Sequence, residues 1–167
     1  DVYKRQLFED TIENNIKFGK QDASHDEVVE AAKKARCHEF IEALPEGYNT
    51  IIGEGGASLS GGEKQRISIA RAMLKDADII IFDEATANID PENEDKLKEA
   101  IEELTKNKTV IMIAHRLKTI RNADQILVLK DGEIVERGKH EELIKNNGLY
   151  SDLVNAKAKA ESWKLMN

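Results

Sequence analysis

The chain is poor in cysteine, proline and aromatic residues, and it lacks any long apolar run. Its single cysteine, Cys37, excludes an internal disulfide framework and fits a reducing compartment; we expect it to be a packed helix residue. The longest apolar stretches, near residues 79–82, 110–114 and 126–129, fall far below the ~20 residues that a membrane span needs. Within this sequence we therefore expect neither disulfides nor a transmembrane segment.

Positive charge is also in deficit. Lys and Arg total 25 against 32 Asp and Glu, which gives a net charge of −7. Such a balance argues against a general nucleic-acid-binding surface, because that surface needs clustered cations. We expect no nucleic-acid partner. At 167 residues the chain is long enough for one domain with a real core.

A further absence concerns phosphate binding. No segment fits the G-x-x-x-x-G-K-[ST] pattern of a phosphate-cradling loop. Only Gly19 and Gly138 are followed by lysine, and neither lysine precedes a serine or threonine.

The first six residues do not resemble the rest of the sequence. They read DVYKRQ, which can be back-translated into a transposon adapter of the kind used in sequencing libraries. We interpret residues 1–6 as an assembly scar and expect natural sequence from about Leu7. An ordinary frayed terminus is the alternative.

Apolar spacing and helix-start signals predict alternating helices and strands. Ser24 and Glu27 form a capping-box pattern, and Asp90-Pro91 is typical of a helix start. Helices are predicted over residues 24–36, 38–44, 63–75, from 91, 140–146 and 149–160, and strands over 79–82, 109–113, 125–129 and 133–137, with a turn at Asp131-Gly132. The helix from 91 should bury a stripe formed by Leu97, Ala100, Ile101 and Leu104. The run at 79–82 is apolar throughout, as in a strand buried on both faces. The alternation predicts an α/β domain with a mainly parallel sheet.

Residues 59–66 read LSGGEKQR and are the most informative segment. Ser60 and Glu63 form a second capping-box pattern, so the simplest interpretation is a well-capped helix. Gly61 and Gly62 indicate more, because glycine in a first helical turn is costly. Without side chains, they let a phosphate approach backbone N–H groups at a helix N-terminus, where the helix dipole favours anions.

Two further segments place polar residues after apolar strands. Residues 79–84 read IIIFDE, so Asp83 and Glu84 follow a strand at the end where α/β sheets bind ligands. One acid can hold Mg²⁺ and the next can activate a water molecule. His115 follows the strand at 109–113, where a lone histidine is more often structural.

Together these segments resemble the ATP-binding-cassette (ABC) ATPases. Residues 59–66 are similar to the family's signature motif, 79–84 to its Walker B strand, 87–90 to its D-loop and His115 to its switch histidine, in the family's order. The resemblance implies the C-terminal part of a P-loop NTPase (RecA-like) core with a parallel sheet, joined to the ABC helical subdomain. We divide the chain into that subdomain at 7–75, the core part at 76–155 and a tail at 156–167.

The resemblance also implies roles and partners. Asp83 would hold Mg²⁺, Glu84 would be the general base and His115 would orient the attacking water. Ser60, Gly61 and Gly62, on a helix capped by Glu63, would contact the terminal phosphate of ATP held by a second nucleotide-binding domain. Asp90 would couple the two sites.

The branch most similar to this chain is the exporters. Residues 7–16, the GEGG segment at 53–56 and the segments from Asp131 onward resemble exporter sequences, in which the ATPase is fused behind membrane helices. The resemblance implies the cytoplasmic face of a membrane. This sequence differs from the family in three ways: the phosphate loop, the adenine-stacking aromatic and the Q-loop glutamine have no counterpart. Because the phosphate loop supplies most phosphate contacts, we expect the 167 residues alone to show negligible ATPase activity. An importer ATPase, a soluble non-transport ABC ATPase and an interaction module remain alternatives.

Overall fold

A computed structural model of the chain describes residues 7–53, 57–83, 91–113 and 120–164. The described residues form two compact units, one up to Ile113 and the other from residue 120 onward. The domain division at residues 75/76 and 155/156 stays a prediction. Among the described helices, none is both long enough and apolar enough to cross a bilayer.

The first unit contains five helices and two strand pairs among its described residues. In chain order its elements are β1 (Asp10–Thr11), α1 (Ile12–Lys17), α2 (His25–Lys34), α3 (His38–Glu42), a 3₁₀ turn (Gly47–Asn49), β2 (Ile51–Ile52), α4 (Gly61–Lys75), β3 (Ile79–Asp83), α5 (Pro91–Thr105) and β4 (Thr109–Ile113).

Helix α4 is the centre of this unit, because it packs against α1, α2 and α5. Its residues Ile67, Ile69 and Ala70 are at most 1% exposed. The neighbouring helices supply buried apolar stripes with the predicted helical spacing; these are Val28, Ala31, Ala32 and Ala35 on or beside α2, and Leu97, Ala100 and Leu104 on α5. Cys37 is fully buried and immediately precedes α3.

Local backbone geometry sets the helix ends, which differ by a few residues from the prediction. Helix α2 stops at Lys34 because Arg36 adopts a left-handed φ of 55°. Helix α4 begins two residues earlier than predicted, at Gly61, and ends at Lys75 because Asp76, its C-cap, adopts a left-handed φ of 51°. Helix α3 ends at Glu42, before Pro45.

Strands β1 and β2 form an antiparallel pair that the sequence analysis did not predict. Asp10 lies opposite Ile52, and Thr11 lies opposite Ile51. Gly53 follows with a φ of +123°, and a Cβ there would lie 2.8 Å from the Cα of Glu9. The glycine is therefore required by the backbone of this segment.

Strands β3 and β4 form the predicted parallel pair. Their register runs from Ile79 opposite Thr109 to Asp83 opposite Ile113, so both strands end at the same level. The expected burial on both faces of β3 is wrong for the described part of the chain. Ile80 and Phe82 are buried, whereas Ile79 is 50% exposed, because alternate side chains point to opposite faces and one face is covered.

Among its described residues from 121 to 164, the second unit contains a hairpin followed by two helices. Its elements are β5 (Ile126–Lys130), β6 (Glu133–Gly138), α6 (His140–Lys145) and α7 (Leu149–Lys164). The strands are antiparallel, and the predicted turn between them places Asp131 and Gly132 at positive φ, as in a type I′ turn.

The core of the second unit is small. It is formed by Ile126, Val128, Leu143 and Tyr150. The Nδ1 atom of His140 lies 2.8 Å from the Tyr150 hydroxyl, and the Tyr150 N–H donates to the Glu136 carboxylate at 3.4 Å. Helix α7 continues to Lys164, four residues beyond the predicted end at 160.

Candidate nucleotide-contacting site

The N-terminus of α4 is the best described part of the predicted site. Ser60 is the N-cap, with extended backbone angles, and its Oγ accepts a hydrogen bond from the Glu63 N–H at 3.3 Å. The Glu63 carboxylate accepts in return from the Ser60 N–H at 2.7 Å. The predicted capping box is confirmed, and it fixes the start of the helix.

This geometry places hydrogen-bond donors at the start of α4, where Gly61 is exposed and Gly62 is buried. The N–H groups of Gly61 and Gly62 lie in the first helical turn, where no carbonyl of the same helix can accept from them. Because Ser60 Oγ accepts from Glu63, its hydroxyl hydrogen stays available for donation. Three donors therefore lie at one helix terminus, where the dipole also favours an anion.

Packing among the described residues does not explain the glycine at position 61. Apart from its chain neighbours and its own helix backbone, a Cβ built on Gly61 would meet none of their atoms within 4 Å, and its φ lies outside the left-handed region. Glycine in a helix nevertheless costs roughly 1 kcal/mol relative to alanine. Open space above an unfavourable glycine fits the close approach of a phosphate to the backbone.

Two arginines hold α4 in place further along the helix. Arg66 is 3% exposed, and its guanidinium carbon lies 5.3 Å from the centre of the Phe40 ring. Burial lowers the pKa of Arg66, although an arginine stays protonated in proteins. Arg71 donates from Nε to the Asn15 carbonyl oxygen at 2.7 Å. Neither role was predicted from the sequence; the available signal was the position of each arginine next to the apolar residues of α4.

Asp83, the predicted Mg²⁺ ligand, lies at the carboxyl end of β3. Asp83 is the last residue of β3, level with Ile113 at the end of β4. Because the carboxyl ends of parallel strands share an edge, the residues that follow both strands start from neighbouring positions. Glu84 and His115 lie outside the described residues, as does Asp90. Pro91 is the first residue of α5, as predicted.

The chemistry of these residues can be compared with that of the phosphate and the Mg²⁺ ion that they are predicted to bind. The α4 terminus offers hydrogen-bond donors and no obstruction at Gly61, which fits a terminal phosphate. A carboxylate such as that of Asp83 is a ligand that Mg²⁺ prefers. Within the part of the chain that the structure describes, no group of three or more His, Cys, Asp or Glu side chains could hold a metal by itself.

Comparison with known proteins assigns the family. The model of the family described as ABC transporter matches residues 3–87, half of the chain. The chain belongs to the ABC transporter family. Its fold is the ABC ATPase fold of the P-loop NTPases, as the resemblance implied.

Individual relatives carry more specific names. The chain is 58% identical over 147 residues to an ATP-dependent lipid A-core flippase of Syntrophus aciditrophicus, covering 88% of this chain and 24% of that protein. It is 51% identical to a mitochondrial potassium channel ATP-binding subunit of Pongo abelii, covering 91% and 21% respectively.

A solved structure agrees in fold. A bacterial Atm1-family ABC exporter with ATP bound matches with a TM-score of 0.78 and 45% identity, over 91% of this chain and 27% of that one. The chain spans about a quarter of the length of the relatives that it matches. The names flippase and exporter favour the exporter prediction over the importer and the soluble ATPase.

Proposed function

We propose that this chain is part of the nucleotide-binding domain of an ABC exporter, in which ATP hydrolysis drives movement of a substrate across a membrane. The family match and the exporter relatives support this proposal. The transported substrate is left open, because the names of the relatives point to different cargoes.

The observation that carries the proposal is the open, capped N-terminus of α4. Ser60, Gly61 and Gly62 would donate hydrogen bonds to the terminal phosphate of an ATP molecule held by a second nucleotide-binding domain. Glu63 would keep the terminus in this geometry through its bond to the Ser60 N–H. Hydrolysis removes the phosphate that the two domains share, so the pair would separate and move the membrane segments.

The strand edge would supply the chemistry. Asp83 would hold Mg²⁺, which neutralises charge on the phosphates when it is bound. Glu84 would accept a proton from the attacking water, and His115 would hold that water in line. Asp90 would connect this site to its counterpart across the domain interface.

The partners follow from the same proposal. A second ABC nucleotide-binding domain, identical or different, would complete the ATP sites, and a transmembrane domain fused to or associated with the chain would place it at the cytoplasmic face of a membrane. No nucleic-acid partner is proposed, since the net charge is −7.

The two capping boxes provide a matched test in the full-length protein. Ser60→Ala and Ser24→Ala remove the same cap geometry from α4 and α2, so each should lower stability by about 1 kcal/mol. Only Ser60→Ala removes a phosphate donor. We expect it to lower ATPase activity about 10- to 100-fold, with Ser24→Ala close to the parent. Equal activities of the two variants would contradict the proposal.

A further inference from the structure

Asn15, on α1, connects the segment that precedes this helix with α4, which is distant in sequence. It is 1% exposed, and its side chain bonds the segment before α1: the Phe8 N–H donates to Oδ1 at 2.9 Å, and Nδ2 donates to the Phe8 and Thr11 carbonyl oxygens at 3.1 and 3.0 Å. Helix α4 reaches Asn15 through Arg71, 56 residues later in the chain.

Arg71 donates hydrogen bonds to Asn15 from two of its nitrogen atoms. Nε donates to the Asn15 backbone oxygen at 2.7 Å, and Nη2 donates to Oδ1 at 3.0 Å. The guanidinium carbon also lies 5.2 Å from the Phe8 ring centre and 5.5 Å from that of Phe18. A planar guanidinium with several fixed contacts defines both distance and rotation, which a lysine cannot do.

The backbones of α1 and α4 also approach closely beside this contact. A Cβ added at Gly19, just after α1, would lie 2.2 Å from the Arg71 carbonyl oxygen. A methyl group cannot occupy that space, so any side chain there must push α4 away. The hydrogen bonds and the close backbone approach together leave little freedom for α4 to slide or turn against α1.

The position of Arg71 determines where the other end of α4 lies. Ten residues separate Arg71 from Gly61 in one continuous helix, which corresponds to about 15 Å at about 1.5 Å per residue. A tilt of about 10° at Arg71 would move the Gly61 N–H by about 2.6 Å over that length. That shift exceeds the range over which a hydrogen bond survives.

We infer that Arg71 and Asn15 are positioning residues for the phosphate-contacting terminus at Ser60, Gly61 and Gly62. The inference rests on the proposed function. Arg71 touches no substrate; it acts by fixing α4 against α1. The contact with the phosphate forms only when two domains close on ATP, so an error in position should lower kcat more than it raises KM.

The test uses the full-length protein and Arg71→Lys, which keeps the charge and loses the planar fork. We expect kcat for ATP hydrolysis to fall at least tenfold, with KM changed less than threefold. Ile41→Val is the control for stability, because it trims a fully buried side chain on α3 and leaves Asn15 and Arg71 intact; its kcat should stay within twofold of the parent. Arg71→Lys with a kcat equal to that of Ile41→Val would overturn the inference.

Gly19→Ala provides a second variant if Arg71→Lys fails to fold. It retains every hydrogen bond donor and acceptor and pushes α4 away from α1, so its kcat should fall by a similar factor. A parent-like kcat for Gly19→Ala would overturn the inference. Ser60→Ala separates this result from failure of the proposed function: if Ser60→Ala also retains full activity, the proposed function itself is wrong.

Discussion

Within the first unit, the helices around α4 bury their apolar residues far more completely than strand β4 does. Around α4, the side chains of Ile12, Ile16, Val28, Ile41 and Ile67 are fully buried. On β4, four successive apolar residues from Val110 to Ile113 are between 37% and 51% exposed. The helices therefore complete their packing among the described residues, and the strand pair does not.

This difference in packing suggests that the helices fix the position of the phosphate-contacting terminus, whereas the strands carry the residues proposed for hydrolysis. The start of α4 is fixed by packing that surrounds the helix, by its capping box and by Arg71, so its geometry is established without a ligand. The strand pair ends at Asp83 and Ile113, and Glu84 and His115 follow these strands in the sequence. Changes in the helical part should therefore affect stability and position, whereas changes at the strand edge should affect hydrolysis.

The largest expected effect is at the strand edge. Glu84→Gln in the full-length protein removes the proposed general base, and we expect ATPase activity to fall by about 100-fold or more. The thermal midpoint should stay near that of the parent, because the change conserves shape. Glu102→Gln, on the exposed face of α5, is the control. Substantial activity in Glu84→Gln would remove the assigned role of this residue.

A smaller effect is expected from removing apolar side chains, which compares the packing of α4 with that of β4. In the 167-residue chain, Ile67→Ala empties a fully buried position and should lower the free energy of unfolding by about 2–5 kcal/mol. Ile111→Ala changes a side chain that is 49% exposed, and should cost less than about 1 kcal/mol. Denaturant unfolding measures both. Equal losses would show that the contrast in packing has no energetic meaning.

The smallest expected effect concerns the α2 capping box. The hydrogen bond from Lys20, followed by that from the Ser24 N–H, lowers the pKa of Glu27 from 4.5 to about 2. A pKa that is lower in the folded state contributes stability above pH 4.5, and this contribution disappears as the pH falls from 4.5 to about 2.

Glu27→Gln keeps the capping geometry and removes this titration. The thermal midpoint of the variant should therefore decrease less than that of the parent between pH 5 and pH 2.5, measured by circular dichroism. Parallel pH profiles of the two proteins would show that the ion pair with Lys20 is too solvated to matter.

Local patterns predicted much of this structure. Both capping boxes, the Pro91 helix start and the β5–β6 turn were predicted correctly, because each depends on residues a few positions apart. Ser60 and Glu63 lie together as expected for the same reason. The predicted stripe on α5 is buried at Leu97, Ala100 and Leu104, whereas Ile101 is half-buried.

Long-range contacts escaped prediction. The β1–β2 pairing joins residues about forty positions apart, and the Arg71–Asn15 contact joins residues 56 apart. Neither leaves a periodic signal, since each arises from the way that helices pack in three dimensions. The burial of β3 was overestimated because an apolar run reports what a strand can bury, and says nothing about what covers it.

The most direct measurement is the distance from Ser60 Oγ to the terminal phosphate in the full-length protein bound to Mg²⁺ and a hydrolysis-resistant ATP analogue. We expect a hydrogen bond of about 2.5–3.0 Å, to a nucleotide whose other phosphates are held by the second nucleotide-binding domain. A closed complex in which Ser60 and the Gly61 N–H face solvent, more than about 6 Å from any phosphate oxygen, would contradict it.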